Sequence, residues 1–149
     1  MEAETSAPLP LWIIAVAALS PFPVSAVVYA YGPGHLADDA LTVILTWSAI
    51  VMSFVGGVRW GLETSRESPR SQRLAASIVG PVFAWVLILA RGRWPETWLL
   101  CGFLSAFLLQ WLFDHTAPDV PTRWPRLLTV LTLGAGLSLA IALEQALRL

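Results

Sequence analysis

A chain of 149 residues that is 56% hydrophobic and 13% charged cannot hide its apolar surface in a water-soluble fold, in which about a quarter of the residues carry charge. Its net charge of −1 conceals that all nine basic residues are arginines without a basic tract, which excludes a nucleic-acid partner, and the single cysteine, Cys101, excludes an intrachain disulfide. The apolar residues come in long blocks fenced by charges, so residues 1–149 read as one integral membrane domain, an all-α polytopic helix bundle.

A helix needs roughly 17–25 residues, at about 1.5 Å each, to cross a hydrocarbon core of about 30 Å, and five segments qualify. The first, Leu9 to Tyr31, contains Ser20-Pro21-Phe22-Pro23, whose two prolines remove backbone donors and predict a kink or break midway. Leu11 to Ser20 also mimics the apolar region of a secretory signal, with Val24-Ser25-Ala26 as a cleavage-like site. Glu2 and Glu4 stand where such a signal carries positive charge, so the span is expected to be retained; cleavage would leave four. The second span, Ala40 to Trp60, is followed by a polar run from Glu63 to Arg73. The third, Leu74 to Ala90, holds Pro81 after Gly80. Only Arg91 to Glu96 separates it from the fourth, Thr97 to Phe113, which makes the two an antiparallel hairpin. Pro118, Pro121 and Pro125 stiffen the connection to the fifth, Leu127 to about Leu143.

Arginines set the expected orientation. The side shared by the amino-terminal tail and the second and fourth loops carries Arg59, Arg66, Arg70, Arg73, Arg123 and Arg126. The other side carries Arg91, Arg93 and Arg148, so the positive-inside rule predicts N-in/C-out.

Ser53-Phe54-Val55-Gly56-Gly57-Val58-Arg59-Trp60-Gly61 is the densest unusual run. Ser53, Gly57 and Gly61 recur every four residues, a small-residue stripe on which another helix can pack closely, and Gly134, Gly136, Ser138 and Ala140 offer a matching surface on the fifth span. Arg59 near the end of its helix has two readings. It can snorkel to the headgroups as an anchor beside Trp60, or join Glu63, Gln110, Asp114, Trp124 and Arg126 in a polar cluster at the cytoplasmic end, with an Arg59 to Asp114 ion pair. His35 and His115 fall on opposite faces and no paired-cysteine or HExxH motif occurs, so no metal or cofactor is expected. Trp12, Trp60, Trp111 and Trp124 map near one interface and Trp94 and Trp98 near the other. Trp47 and Trp85 fall deeper, where core packing is the expected role.

The same Ser53–Gly61 run resembles the signature of a family of small bacterial inner-membrane proteins of unknown function, related to the mitochondrial transmembrane protein 69. Ser20-Pro21-Phe22, Pro81 with Trp85, Gln110 with Asp114, and Trp124-Pro125-Arg126-Leu127-Leu128-Thr129 echo it elsewhere. The resemblance implies a multi-pass fold in a bacterial inner membrane and supplies no reaction. The expectation is therefore a non-enzymatic accessory or assembly protein, with the lipid bilayer and a membrane-protein partner or a second copy as its contacts. The alternative is recognition of an anionic lipid headgroup or small anion by Arg59, Asp114 and Arg126. An enzyme would have to draw its acid–base groups from Glu63, Asp114 and His115.

Overall fold

The computed structural model describes residues 9–116 and 123–149, with side chains in the last helix from Arg126 onward. The expected stiffening by Pro118, Pro121 and Pro125 therefore lies outside the described residues or side chains. Among the described residues five helical rods are long and apolar enough to cross a membrane: Leu9–Tyr31, Gly34–Thr64, Ser71–Leu89, Glu96–His115 and Arg126–Arg148. They comprise α1 (Leu9–Leu19), α2 (Pro21–Tyr31), α3 (Ala37–Thr64, entered through a short 3₁₀ turn), α4 (Ser71–Leu89), α5 (Glu96–His115) and α6 (Arg123–Arg148). Several ends run past the apolar blocks read from the sequence. Helix geometry does not stop at the hydrocarbon edge, and charged first-turn residues such as Asp38 and Asp39 favour the positive end of the α3 dipole.

Prolines divide the first rod as expected. Pro21 leaves Ala17 O without its helical donor, and the Ser20 hydroxyl donates to that carbonyl at 2.8 Å. One residue on, Ala18 O accepts from the Trp47 indole Nε1 at 2.8 Å. Trp47 packs against the core as expected and is also a hydrogen-bonding strut between α3 and the break in the first rod. Because only its ring nitrogen donates there, Trp47→Phe should cost about 1 kcal/mol, read as a lowered melting midpoint in detergent.

The helices close into a ring in the order α2, α3, α4, α5, α6, with α1 lying against α6. The joint between α4 and α5 is much looser than that between α3 and α4. Apolar positions on α3 recur at helical spacing, Leu41, Ile44, Leu45, Met52 and Val55, and all face the core. Phe22 of α2 meets Phe107 of α5 edge to face inside the ring, with ring centroids 5.9 Å apart. The outer surface is also apolar: Phe54, Leu109, Leu133 and Leu137 each stay about two-thirds exposed, an arrangement that only lipid stabilises. Several hydroxyls within the rods are satisfied locally, although the buried Thr132 hydroxyl of α6 has no hydrogen-bond partner. Thr46, Ser48 and Ser138 each donate to the carbonyl four residues earlier, at 2.6–2.8 Å.

Two expectations about packing are corrected. Trp85 is 62% exposed on the outside of α4, because α4 buries one narrow face on its neighbours and the indole falls on the other. The stripe of Ser53, Gly57 and Gly61 does not meet α6. All three residues point outward, opposite the apolar face that turns α3 into the ring, and a Cβ added at Gly57 or Gly61 would meet nothing within 4 Å. Gly136 instead approaches Leu104 of α5.

Close helix approach occurs one residue away, at Gly56. A Cβ there would lie 2.5 Å from Pro81 Cγ and 2.6 Å from Ser77 O of α4. Ser77 O is the carbonyl that Pro81 leaves without a helical donor, so one proline both frees that oxygen and supplies the ring that Gly56 packs against.

At the opposite end of the bundle, Tyr29 Oη donates to Glu96 Oε2 at 2.7 Å and Arg91 Nη2 donates to Asp38 Oδ1 at 3.0 Å. These contacts tie α2 and α3 to the α4–α5 turn, where Gly92 takes a φ of +80° that side-chain-bearing residues rarely adopt.

Candidate functional site

At the end of the bundle where α3 finishes and α4 begins, α5 presents Gln110, Phe113 and Asp114. Their spacing of three and four puts all three on one helix face. Arg59, in the last two turns of α3, reaches that face. Its Nε pairs with Asp114 Oδ1, and the two side chains are 13% and 2% exposed. With the Gln110 amide turned to satisfy both partners, its oxygen accepts from Arg59 Nη1 at 2.8 Å and from Nε at 3.2 Å. The guanidinium carbon stands 4.2 Å from the centroid of the Phe113 ring. Arg59 is therefore turned inward and enclosed, not extended to the headgroups as an anchor beside Trp60.

The driving force is electrostatic. A lone arginine deep in a bilayer costs about 2.5–3.5 kcal/mol on insertion scales. Pairing it with one carboxylate, one amide oxygen and one ring face leaves no net charge in the pair and gives the polar atoms partners.

Around this core lies a second layer of charge. Glu63, 5% exposed at the end of α3, accepts from the Arg70 backbone N–H at 2.8 Å, while Arg66 Nε lies 3.3 Å from its other oxygen. Glu63 thus folds the α3–α4 loop back onto the helix end rather than facing the solvent. Arg73, in the first turn of α4, lies close enough to act electrostatically on Arg59. On the α6 side, Trp111 Nε1 donates to Thr129 Oγ1 at 2.8 Å, and the Trp111 ring stacks on His115 with centroids 5.0 Å apart.

Of the residues singled out from the sequence, Arg59, Gln110 and Asp114 come together directly. Gly56 is packed against Pro81, while Gly57, Trp60 and Gly61 face outward. Arg126 lies exposed in the first turn of α6 at the same end, and the side chain of Trp124 lies outside the described part. Phe113 was missed, although its place between Gln110 and Asp114 on the shared face is the spacing signal that finds it. The Trp111–Thr129 bond was missed too, since only the fold reveals which helix Trp111 faces.

Beside the ion pair a cleft of about 360 Å³ separates α4 from α5. Met52 and Arg59 form its floor, Ala76, Val79 and Phe83 line one wall, and Leu109 and Gln110 line the other. Gly80 lacks a side chain on the α4 wall, and Met52 Cε and the Gln110 amide occupy the space that a side chain there would need. Arg59 and Gln110, with Ser105, thus put polar groups on the surface of a largely apolar cleft.

This geometry suits holding and binding more than proton transfer. Asp114 and Glu63 are engaged by arginines, and His115 is stacked on an indole. A five-rod helical bundle with an enclosed arginine–aspartate pair and an apolar outer surface is a multi-pass membrane protein. It belongs to the family described as "Protein of unknown function (DUF3429)", whose model matches residues 7–144. The chain is similar to Transmembrane protein 69 of Xenopus tropicalis, 30% identical over 143 residues. That match takes in 93% of this chain and 55% of the relative, so the chain spans about half of that protein's length. The family resemblance carried by the Ser53–Gly61 run is thereby shown. No solved structure matches the chain.

Proposed function

We propose that the protein is a non-enzymatic accessory or assembly component of a membrane complex, set N-in/C-out in a bacterial cytoplasmic membrane. The observation that carries this reading is the use of the polar side chains: Arg59, Gln110 and Asp114 are spent on joining α3 to α5. The uncovered small-residue face of α3 supports it, because Ser53, Gly57 and Gly61 leave room for a neighbouring helix to approach closely in lipid. The six arginines on one side support the orientation.

Extraction from its own membrane in mild detergent tests this reading. The protein should migrate in a complex above its own mass of 16.2 kDa, and Gly57→Leu with Gly61→Leu should release it as a monomer that melts like the parent. A parent protein that migrates as a monomer would overturn it.

The cleft favours a second reading, in which the arginine-rich end recognises a lipid headgroup or small anion. Arg59 is both enclosed by protein and part of the cleft lining, so an anionic group entering from the bilayer would meet a guanidinium.

A further inference from the structure

We infer that the cleft between α4 and α5 holds the head of a lipid-soluble 1,4-quinone, with one ring carbonyl at Arg59 and Gln110 and the other at Ser105. This goes beyond both readings above and rests on neither.

Unspent donors point to a carbonyl. Ser48, Ser53, Ser77 and Ser138 each donate to a carbonyl of their own helix, at 2.6–2.9 Å. The Ser105 hydroxyl lines the cleft and makes no hydrogen bond among the described residues. A bare hydroxyl facing hydrocarbon is costly, and an acceptor in the cleft would remove that cost. At the other end of the cleft Arg59 carries five N–H groups, of which Asp114 and Gln110 engage those on Nε and Nη1. Asp114 balances its charge, so what Arg59 still offers the cleft is N–H donors rather than net charge. A neutral oxygen suits that better than an anion.

Depth and spacing choose among carbonyl compounds. Ser105 lies at the middle of α5 (Glu96–His115), about 15 Å from either end at the helical rise. Gln110 is five residues further on, about 7.5 Å along the rod toward Asp114. The donors are thus stacked along the rods and not side by side. The ester carbonyls of a glycerolipid sit together at the headgroup edge and cannot span that interval. A 1,4-quinone carries its two oxygens at opposite ends of one flat ring, and it dissolves in hydrocarbon at this depth. The remaining surface fits such a ring. A volume of about 360 Å³ lies at the lower end of the roughly 300–1,000 Å³ typical of small-ligand sites. Met52 and Phe83 offer polarisable side chains to a conjugated ring. Val79 and Leu109 stay about two-thirds exposed at the lips, where a tail can leave sideways into lipid.

Titration of the full chain in mild detergent with decylubiquinone, reading the quinone that co-migrates with protein over empty micelles, tests the inference. Binding should saturate at one quinone per chain, and monodecanoylglycerol, an ester with a tail of the same length, should not displace it. Ser105→Ala should weaken binding about fivefold through the loss of one hydrogen bond. Ala76→Trp fills the cleft with an indole and leaves Arg59, Gln110 and Ser105 in place, so it should weaken binding at least about tenfold. Leu109→Trp serves the same purpose if that variant fails to fold. Absence of saturable binding, or displacement by the glycerol ester, would overturn the inference. So would undiminished binding by a folded tryptophan variant or by Ser105→Ala.

Discussion

Substituting Gly56 by leucine should lower the melting midpoint in detergent sharply, by an amount equivalent to at least about 3 kcal/mol, whereas Gly57→Ala and Gly61→Ala should leave it level or raise it. The three glycines are near neighbours in sequence and would be interchangeable if composition alone mattered. Their surroundings differ. At Gly56 even the first added carbon must displace the Pro81 ring and the Ser77 carbonyl, and neither is the free end of a flexible side chain. The α3–α4 joint is the closest in the ring, so forcing it apart also strains what α4 holds in place, including the cleft wall. At Gly57 and Gly61 an added methyl meets open space, and the helical preference of alanine over glycine, about 0.5–1 kcal/mol, acts unopposed. Thermal unfolding of the three variants side by side checks this, and equal destabilisation at all three positions would refute the assigned packing.

Asp114→Ala should destabilise the bundle by about 3–5 kcal/mol, because it leaves the Arg59 guanidinium enclosed without its carboxylate. Removing both charges should be far milder. In Arg59→Leu with Asp114→Leu no buried ion remains to be compensated, so most of the lost stability should return, and the double-mutant cycle should give a coupling of at least about 2 kcal/mol. Side-chain exposures of 13% and 2% motivate the size of the effect. An anchoring arginine in contact with headgroups would behave differently: Asp114→Ala would change little, and the double variant would show no coupling. Melting curves of the two single variants and the double variant in one detergent separate the cases.

Much of this molecule was legible in its sequence because a bilayer imposes a simple rule. Apolar stretches such as Thr97 to Phe113 must span as helices, since an open chain in lipid has no other way to satisfy its backbone. The break at Pro21 and Pro23 followed from the loss of N–H donors, which is local chemistry. The Gln110 to Asp114 spacing likewise put the aspartate on a definite face.

What escaped the sequence concerns rotation and neighbourhood. Small residues at positions 53, 57 and 61 marked a surface suited to close packing, but a periodic pattern does not say which helix, if any, occupies it. The larger apolar face of α3, from Leu41 to Val55, decided how the helix is turned and left that stripe outside. Trp47 and Trp85 sat at similar depth and carried the same expectation. One came to donate to the Ala18 carbonyl at the break in the first rod and the other came to face outward.

The sequence by itself determined five apolar rods, their breakpoints and the side on which arginine accumulates, because each depends on residues adjacent in the chain and on their transfer from water to lipid. Only the tertiary structure decided that Arg59 turns inward to Asp114, that Gly56 meets Pro81 and that α4 stands off from α5 to leave a cleft. Those outcomes depend on how whole helix faces compete for the interior of one ring, and no segment read alone contains that competition.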